Sequence, residues 1–178
     1  QIASLKATQE NLKEDEALIQ YTVGRFGSFA SFITSNDYGI VRFKNSGRKT
    51  ITEKINKIRS SLQLSNNKPK SFAKKESEEL FDMLFSLIDT DNKIKGKKKI
   101  IIVPDGPLYS LPFELLFDKK NQKWLLEKYA ITISPSVYTT LALNKNIEFN
   151  AANSFIGFGN PKIRDTKLAD NSKLKNTI

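Results

Sequence analysis

Apolar residues between positions 17 and 43 fall in three short runs, 18–23, 29–33 and 40–43, separated by glycine-bearing stretches at 24–27 and 35–39. Brief β-branched and aromatic runs between such turns predict strands joined as hairpins. The period then changes. Ile51, Ile55, Ile58 and Leu62 recur at helical spacing, with Thr52 as the expected N-cap and Glu53 in the first turn. A second amphipathic helix is predicted over 71–88, with Leu80, Leu84, Leu87 and Ile88 on one stripe beside Phe81 and Phe85. Three lysines next lead into Ile100, Ile101, Ile102 and Val103, a run suited to a strand buried on both faces of a mainly parallel sheet. Pro104, Gly106 and Pro107 force the chain out of that sheet. Asp105 is thereby set at the carboxyl end of a central strand, where open α/β sheets place their ligand crevice. Leu111, Phe113, Leu115 and Leu116, with Pro112 at a first helical position, predict a helix returning to the core. A further strand is predicted at 130–134, a helix opening at Pro135 or Ser136, and a third apolar strand in 153–161. Residues 1–16 read as a helix end and linker, and 162–178 as a loop or frayed tail. The fold class that follows is α/β.

Composition narrows the picture only modestly. The 178 residues are 39% hydrophobic and 27% charged, enough for one domain with a sizeable core. No apolar run approaches the roughly 20 residues needed to span a bilayer, so no membrane partner is expected. The net charge of +10 is uneven: +2 over 1–50, +2 over 51–96 and +6 over 97–178. Its densest cluster, Lys93 to Lys99, precedes a buried strand, where solvated lysines mark the turn into the sheet. Arg and aromatic residues are not interleaved in a reading motif, so a nucleic-acid partner is disfavoured. The aromatics Tyr21, Phe26, Phe29, Phe32, Tyr38 and Phe43 are expected to pack a core and a sheet face rather than stack bases.

The sequence contains no His and no Cys. A Cys–His or Ser–His–Asp site therefore cannot be assembled from this chain, and thiolate metal ligands are ruled out. Ser-x-x-Lys occurs at Ser46/Lys49 and Ser71/Lys74, without the companion motifs of a Ser–Lys nucleophile. Glu76, Glu78, Glu79 and Asp82 are read as a solvated helix face rather than a metal set, and Glu114 as helix surface rather than an acid/base partner of Asp105. Gly157 and Gly159 lack the Gly-Lys-Ser/Thr continuation of a phosphate loop. No cofactor and no metal are expected.

The strings IIIVPDGPLYSLPFELLF, WLLEKYAITISPS and FIGFGNP resemble, in order and spacing, the front half of the CHAT domain, a caspase-like module commonly found behind tetratricopeptide repeats. The resemblance implies a caspase-like three-layer sandwich, incomplete here and preceded by a hairpin-rich segment with two helices. Residues 17–161 would be its amino-terminal portion, with 1–16 the seam to upstream repeats. It further implies the scaffold half of a cysteine peptidase in bacterial-type signalling, acting on a protein substrate, with its His/Cys dyad outside this chain. The alternative is a non-catalytic, CHAT-like protein-interaction module. A cytoplasmic location is expected in either case. Asp105 is read first as a turn cap, its carboxylate accepting amides at 106–108, since turn formation alone accounts for the motif; the resemblance implies the other reading, that it helps orient the side chain of a bound peptide.

Overall fold

The protein is described by a computed structural model covering residues 3–65, 68–90 and 93–144. The strand expected at 153–161 and the tail at 162–178 lie outside these residues. Helix α1 (Leu5–Asn11) leads into three strands, β1 (Glu16–Val23), β2 (Ser28–Thr34) and β3 (Tyr38–Phe43). Helices α2 (Arg48–Ser61), α3 (Lys74–Leu84) and α4 (Ser86–Thr90) follow. The aliphatic run then forms β4 (Lys99–Val103), and after two 3₁₀ turns come α5 (Leu125–Lys128), β5 (Ala130–Ile133) and α6 (Val137–Asn144).

The five strands make one mixed sheet in the order β3-β2-β1-β4-β5. β1, β2 and β3 pair antiparallel as two hairpins, while β1, β4 and β5 run parallel. The aliphatic strand is therefore interior, hydrogen-bonded on both edges. Its alternation has little polar content because both faces are covered. Ala17, Ile19, Tyr21 and Val23 of β1, with Ile100 and Ile102 of β4, turn toward α2, α3 and α4. Leu18, Ile101 and Val103 point the other way, where Leu12 and Val137 pack on them. Helices on both faces give the three layers of an incomplete α/β sandwich. Residues 5–11, expected as a helix end, form a helix that rests on β2 and α6.

Three local expectations change. Helix α2 starts at Arg48, so Thr52 is inside it and donates its hydroxyl to Arg48 O at 2.8 Å; the N-cap is Gly47. The 71–88 helix is broken at Phe85, which leaves helical geometry at φ −128°. The break lets Phe81, Phe85 and Ile88 all reach the core while Leu87 turns outward. The helix expected around Pro112 is replaced by 3₁₀ turns at Gly106–Ser110 and Phe113–Leu115. Prolines at 107 and 112 remove donors, and each bars the preceding residue from helical geometry; Leu111 is accordingly extended. After Phe113–Leu115 the chain turns extended at Leu116 so that residues 117–118 pair with 123–124, and that pairing, rather than a proline, ends the helical path.

Candidate functional site

The last register pair between the two interior parallel strands is Gln20 with Val103. β1 runs on to Val23, but β4 cannot follow it as a ladder because Pro104 has no N–H to give. Val23 is thus left facing a side on which no strand residue meets it. Two side chains take over there. Asp105 Oδ2 accepts the Val23 N–H at 2.7 Å, and Arg48 Nη2 donates to the Val23 carbonyl at 2.9 Å. The Arg48 backbone also donates to Gly24 O at 2.9 Å, which fixes the start of α2 against the β1–β2 turn.

Gly106 completes this clasp. Its φ is +53°, and a Cβ there would stand 2.9 Å from Arg48 Nη1. Only glycine meets both demands without displacement. Tyr109 in the first 3₁₀ turn donates to Pro135 O at 3.3 Å, and Ser134 N–H extends the β4–β5 ladder to Ile102 O at 2.8 Å. The ends of all three parallel strands, at Val23, Asp105 and Ser134, are therefore knit into one edge.

Asp105 does not cap its own turn. The turn is closed by its backbone carbonyl, which accepts from Leu108 N at 3.1 Å, while the carboxylate reaches across to β1. Among the described residues its other oxygen, Oδ1, makes no hydrogen bond. Glu114 is apart from it in the second 3₁₀ turn.

Other sequence candidates have structural jobs. Buried Ser46 accepts from Ser28 N at 2.8 Å and donates to Phe43 O at 2.9 Å, so its hydroxyl is committed to the β3–α2 turn. Lys74 lies 3.9 Å over the Phe117 ring. Glu76 pairs with Lys57 at 3.2 Å, Glu79 with Lys54, and Glu78 with Lys119 at 3.8 Å, so α3 is laced to its surroundings through the very carboxylates that looked like a solvated face.

Sequence reading did not reveal a further cluster. Lys128 Nζ sits 2.5 Å from Asp89 Oδ2 and 3.0 Å from Asp118 Oδ2, the Tyr129 hydroxyl donates to Asp89, and Asn121 donates to Asp118. Burial pushes the Asp118 carboxyl up, but the Asn121 amides and the Lys128 ammonium outweigh it and hold it below its ordinary value. Burial likewise disfavours the Lys128 charge, yet Asp89 and Asp118 prevail and raise it. A lysine held so firmly charged is a poor nucleophile; this cluster ties α4, α5 and the 117–118 segment together.

The sequence profile of the CHAT domain matches residues 74–176. The chain belongs to the CHAT domain family. The match opens at the first residue of α3, yet the CHAT strand β4 is hydrogen-bonded to β1, so the hairpins ahead of the match are part of the same sheet. Comparison with curated proteins finds no match. Among the described residues no helix is long and apolar enough to cross a membrane.

Proposed function

We propose that this CHAT chain is the scaffold and substrate-positioning part of a caspase-like cysteine peptidase, its imidazole and thiolate supplied by residues this sequence does not contain. The observation that supports this reading is the edge at Val23, Asp105 and Ser134. It gathers the carboxyl ends of three parallel strands, and it holds Asp105 by one oxygen while the other stays unbonded. A carboxylate fixed in that way suits a cationic side chain, so a substrate with Lys or Arg on the acyl side of the scissile bond is the reading's specific form. The other reading is a CHAT module that binds a protein partner without cleaving it; the absence of His and Cys from the sequence favours that view for this chain taken alone.

The test uses the complete gene product and a peptidyl acyloxymethyl ketone probe carrying a basic residue at the reactive end. Labelling of one cysteine, abolished by replacing it with Ala, is expected, and Asp105→Asn is expected to lower kcat/KM for basic substrates about tenfold or more while leaving a neutral analogue little changed. If the gene product carries no His and Cys at successive strand ends, or carries them but takes no label, the interaction-module reading replaces this one.

A further inference from the structure

The sheet has a second face, and α1 covers only the part of it near Ile33 and Thr34, where Gln9 donates to Thr34 O at 3.3 Å. Beyond α1, β2 and β3 turn Phe29, Ser31, Ile40 and Arg42 outward, with Phe29 directly opposite Arg42 and Ser31 opposite Ile40. Phe29 is 44% exposed, Tyr38 62% and Ile40 74%, and Phe26 at the tip of the β1–β2 turn is 86% exposed. Isolated exposed apolar residues need no explanation, but four on one continuous surface do.

The same surface carries Arg42, and Lys44 stands at its border, where it also lines a concavity with Glu79 and Asp82. Among the described residues Arg42 and Lys44 form no ion pair, and Arg25 stands 5.1 Å over the Phe26 ring. Two open concavities of about 430 and 480 Å³ share Phe26, Gly27 and Arg42 in their walls. The strand neighbours on this face, Gln20, Thr22 and Ser31, are uncharged, and the nearby Asp37 carboxylate is engaged by the Tyr38 amide at 2.8 Å.

We infer that this face docks an acidic segment of a partner protein, its carboxylates meeting Arg42 and Lys44 and its apolar side chains covering Phe29 and Ile40. Charge complementarity selects this occupant. A second copy placed symmetrically on the face would bring the same cations into the interface and no carboxylate from the strand positions Gln20, Thr22, Ser31 and Ile40 to meet them. Residues 145–178 of this chain carry six basic and three acidic residues, the wrong sign for the role. A nucleic-acid strand needs cations along its path, whereas the middle of this surface is Ile40 and Ser31. The inference does not depend on the peptidase reading, because Phe29, Ile40 and Arg42, which carry it, lie along β2 and β3, and only Arg25 and Phe26 of the β1–β2 turn approach the strand end that holds Asp105.

The experiment titrates the isotope-labelled chain with four probes: a peptide of alternating Glu and Phe, its Gln/Phe and Glu/Ser counterparts, and an oligouridylate. Saturable binding of the Glu/Phe peptide is expected, with amide shifts confined to residues 25–34 and 38–44. Gln/Phe and Glu/Ser should each bind about tenfold more weakly, and Arg42→Glu and Ile40→Ser should each weaken the Glu/Phe peptide by a similar factor at unchanged Tm. Arg42→Gln replaces Arg42→Glu if the charge reversal alters Tm. Equal binding of the Gln/Phe peptide, tighter binding of the oligouridylate, shifts on another face, or no saturation by the Glu/Phe peptide overturns the inference.

Discussion

A backbone amide one step past the end of a parallel pairing has no ladder acceptor, and burying it unpaired costs about 1–3 kcal/mol. At Val23 that acceptor comes from Asp105, 82 residues away in sequence. Asp105→Ala should therefore destabilise the chain by about 1–3 kcal/mol, while Asp105→Asn, which retains an oxygen at the same reach, should cost less than half as much; denaturant midpoints decide. Equal losses for the two would mean that the carboxylate's charge, not the hydrogen bond to β1, is what the fold requires. Gly106→Ala is expected to cost about 1 kcal/mol or more, and combining it with Arg48→Ala should cost less than the two separate losses, since removing the guanidinium clears the space the new methyl needs. The position of Asp105 was legible in the sequence because an aliphatic run halted by Pro104 puts the next residue at a strand end. Its partner was not, because only the register of β1 against β4 brings Val23 alongside, and Arg48 at the head of a helix carries no mark that separates it from an ordinary surface arginine.

Among the secondary elements, the runs with unambiguous period were readable: β1, β2, β3, β4 and β5 fall where alternation or unbroken aliphatic sequence put them. What misled was local chemistry overridden by position. Thr52 is a good N-cap residue, but α2 opens four residues earlier, where Arg48 N–H finds Gly24 O, so no side-chain cap is needed. The apolar residues after Asp105 have helical spacing, yet Leu111 ahead of Pro112 is extended and Leu116 turns extended again to reach the pairing of 117–118 with 123–124, so only 3₁₀ turns fit between them. The Lys128 cluster makes a prediction at this scale. With Asp89 and Asp118 both buried, Lys128→Met leaves two carboxylates uncompensated and should cost about 3 kcal/mol, lowering Tm by roughly 6–12 °C in a chain of this size. The pH dependence has two limbs. Asp118 titrates below its ordinary value in the fold, so its contribution is present above about pH 4 and is lost as pH falls through the depressed value. Lys128 titrates above its ordinary value, so its contribution is present below about pH 10.5 and is lost as pH rises through the raised value. Stability profiles of the native chain and Lys128→Met should diverge most between these limits and converge toward both extremes; parallel profiles would show the cluster to be energetically idle.

At the scale of the whole molecule, the family assignment and the sheet order support one another through β4. The CHAT match covers β4 and β5, and the hairpin-rich segment ahead of it supplies β1, which borders β4 on the opposite side. A strand flanked on both edges can lose its amide protons only when a neighbour separates, whereas an edge strand exchanges by fraying. β4 contributes Ile100 and Ile102 to the larger core and Ile101 and Val103 to the smaller one, so its opening would breach both at once. Native-state hydrogen exchange should therefore show the amides of residues 100–103 and the central amides of β1 exchanging at the free energy of global unfolding. Those of β3, whose outer edge has no strand partner among the described residues, should exchange with opening energies lower by about 1 kcal/mol or more, and β5, with most of its residues exposed, should be no better protected than β4. Exchange of β4 as fast as β3 would mean that the two parallel pairings do not act as one cooperative centre. The strand ends at Val23, Asp105 and Ser134 would then be too loosely related for the substrate-positioning role proposed for them, and that measurement accordingly bears on the proposal as well as on the fold.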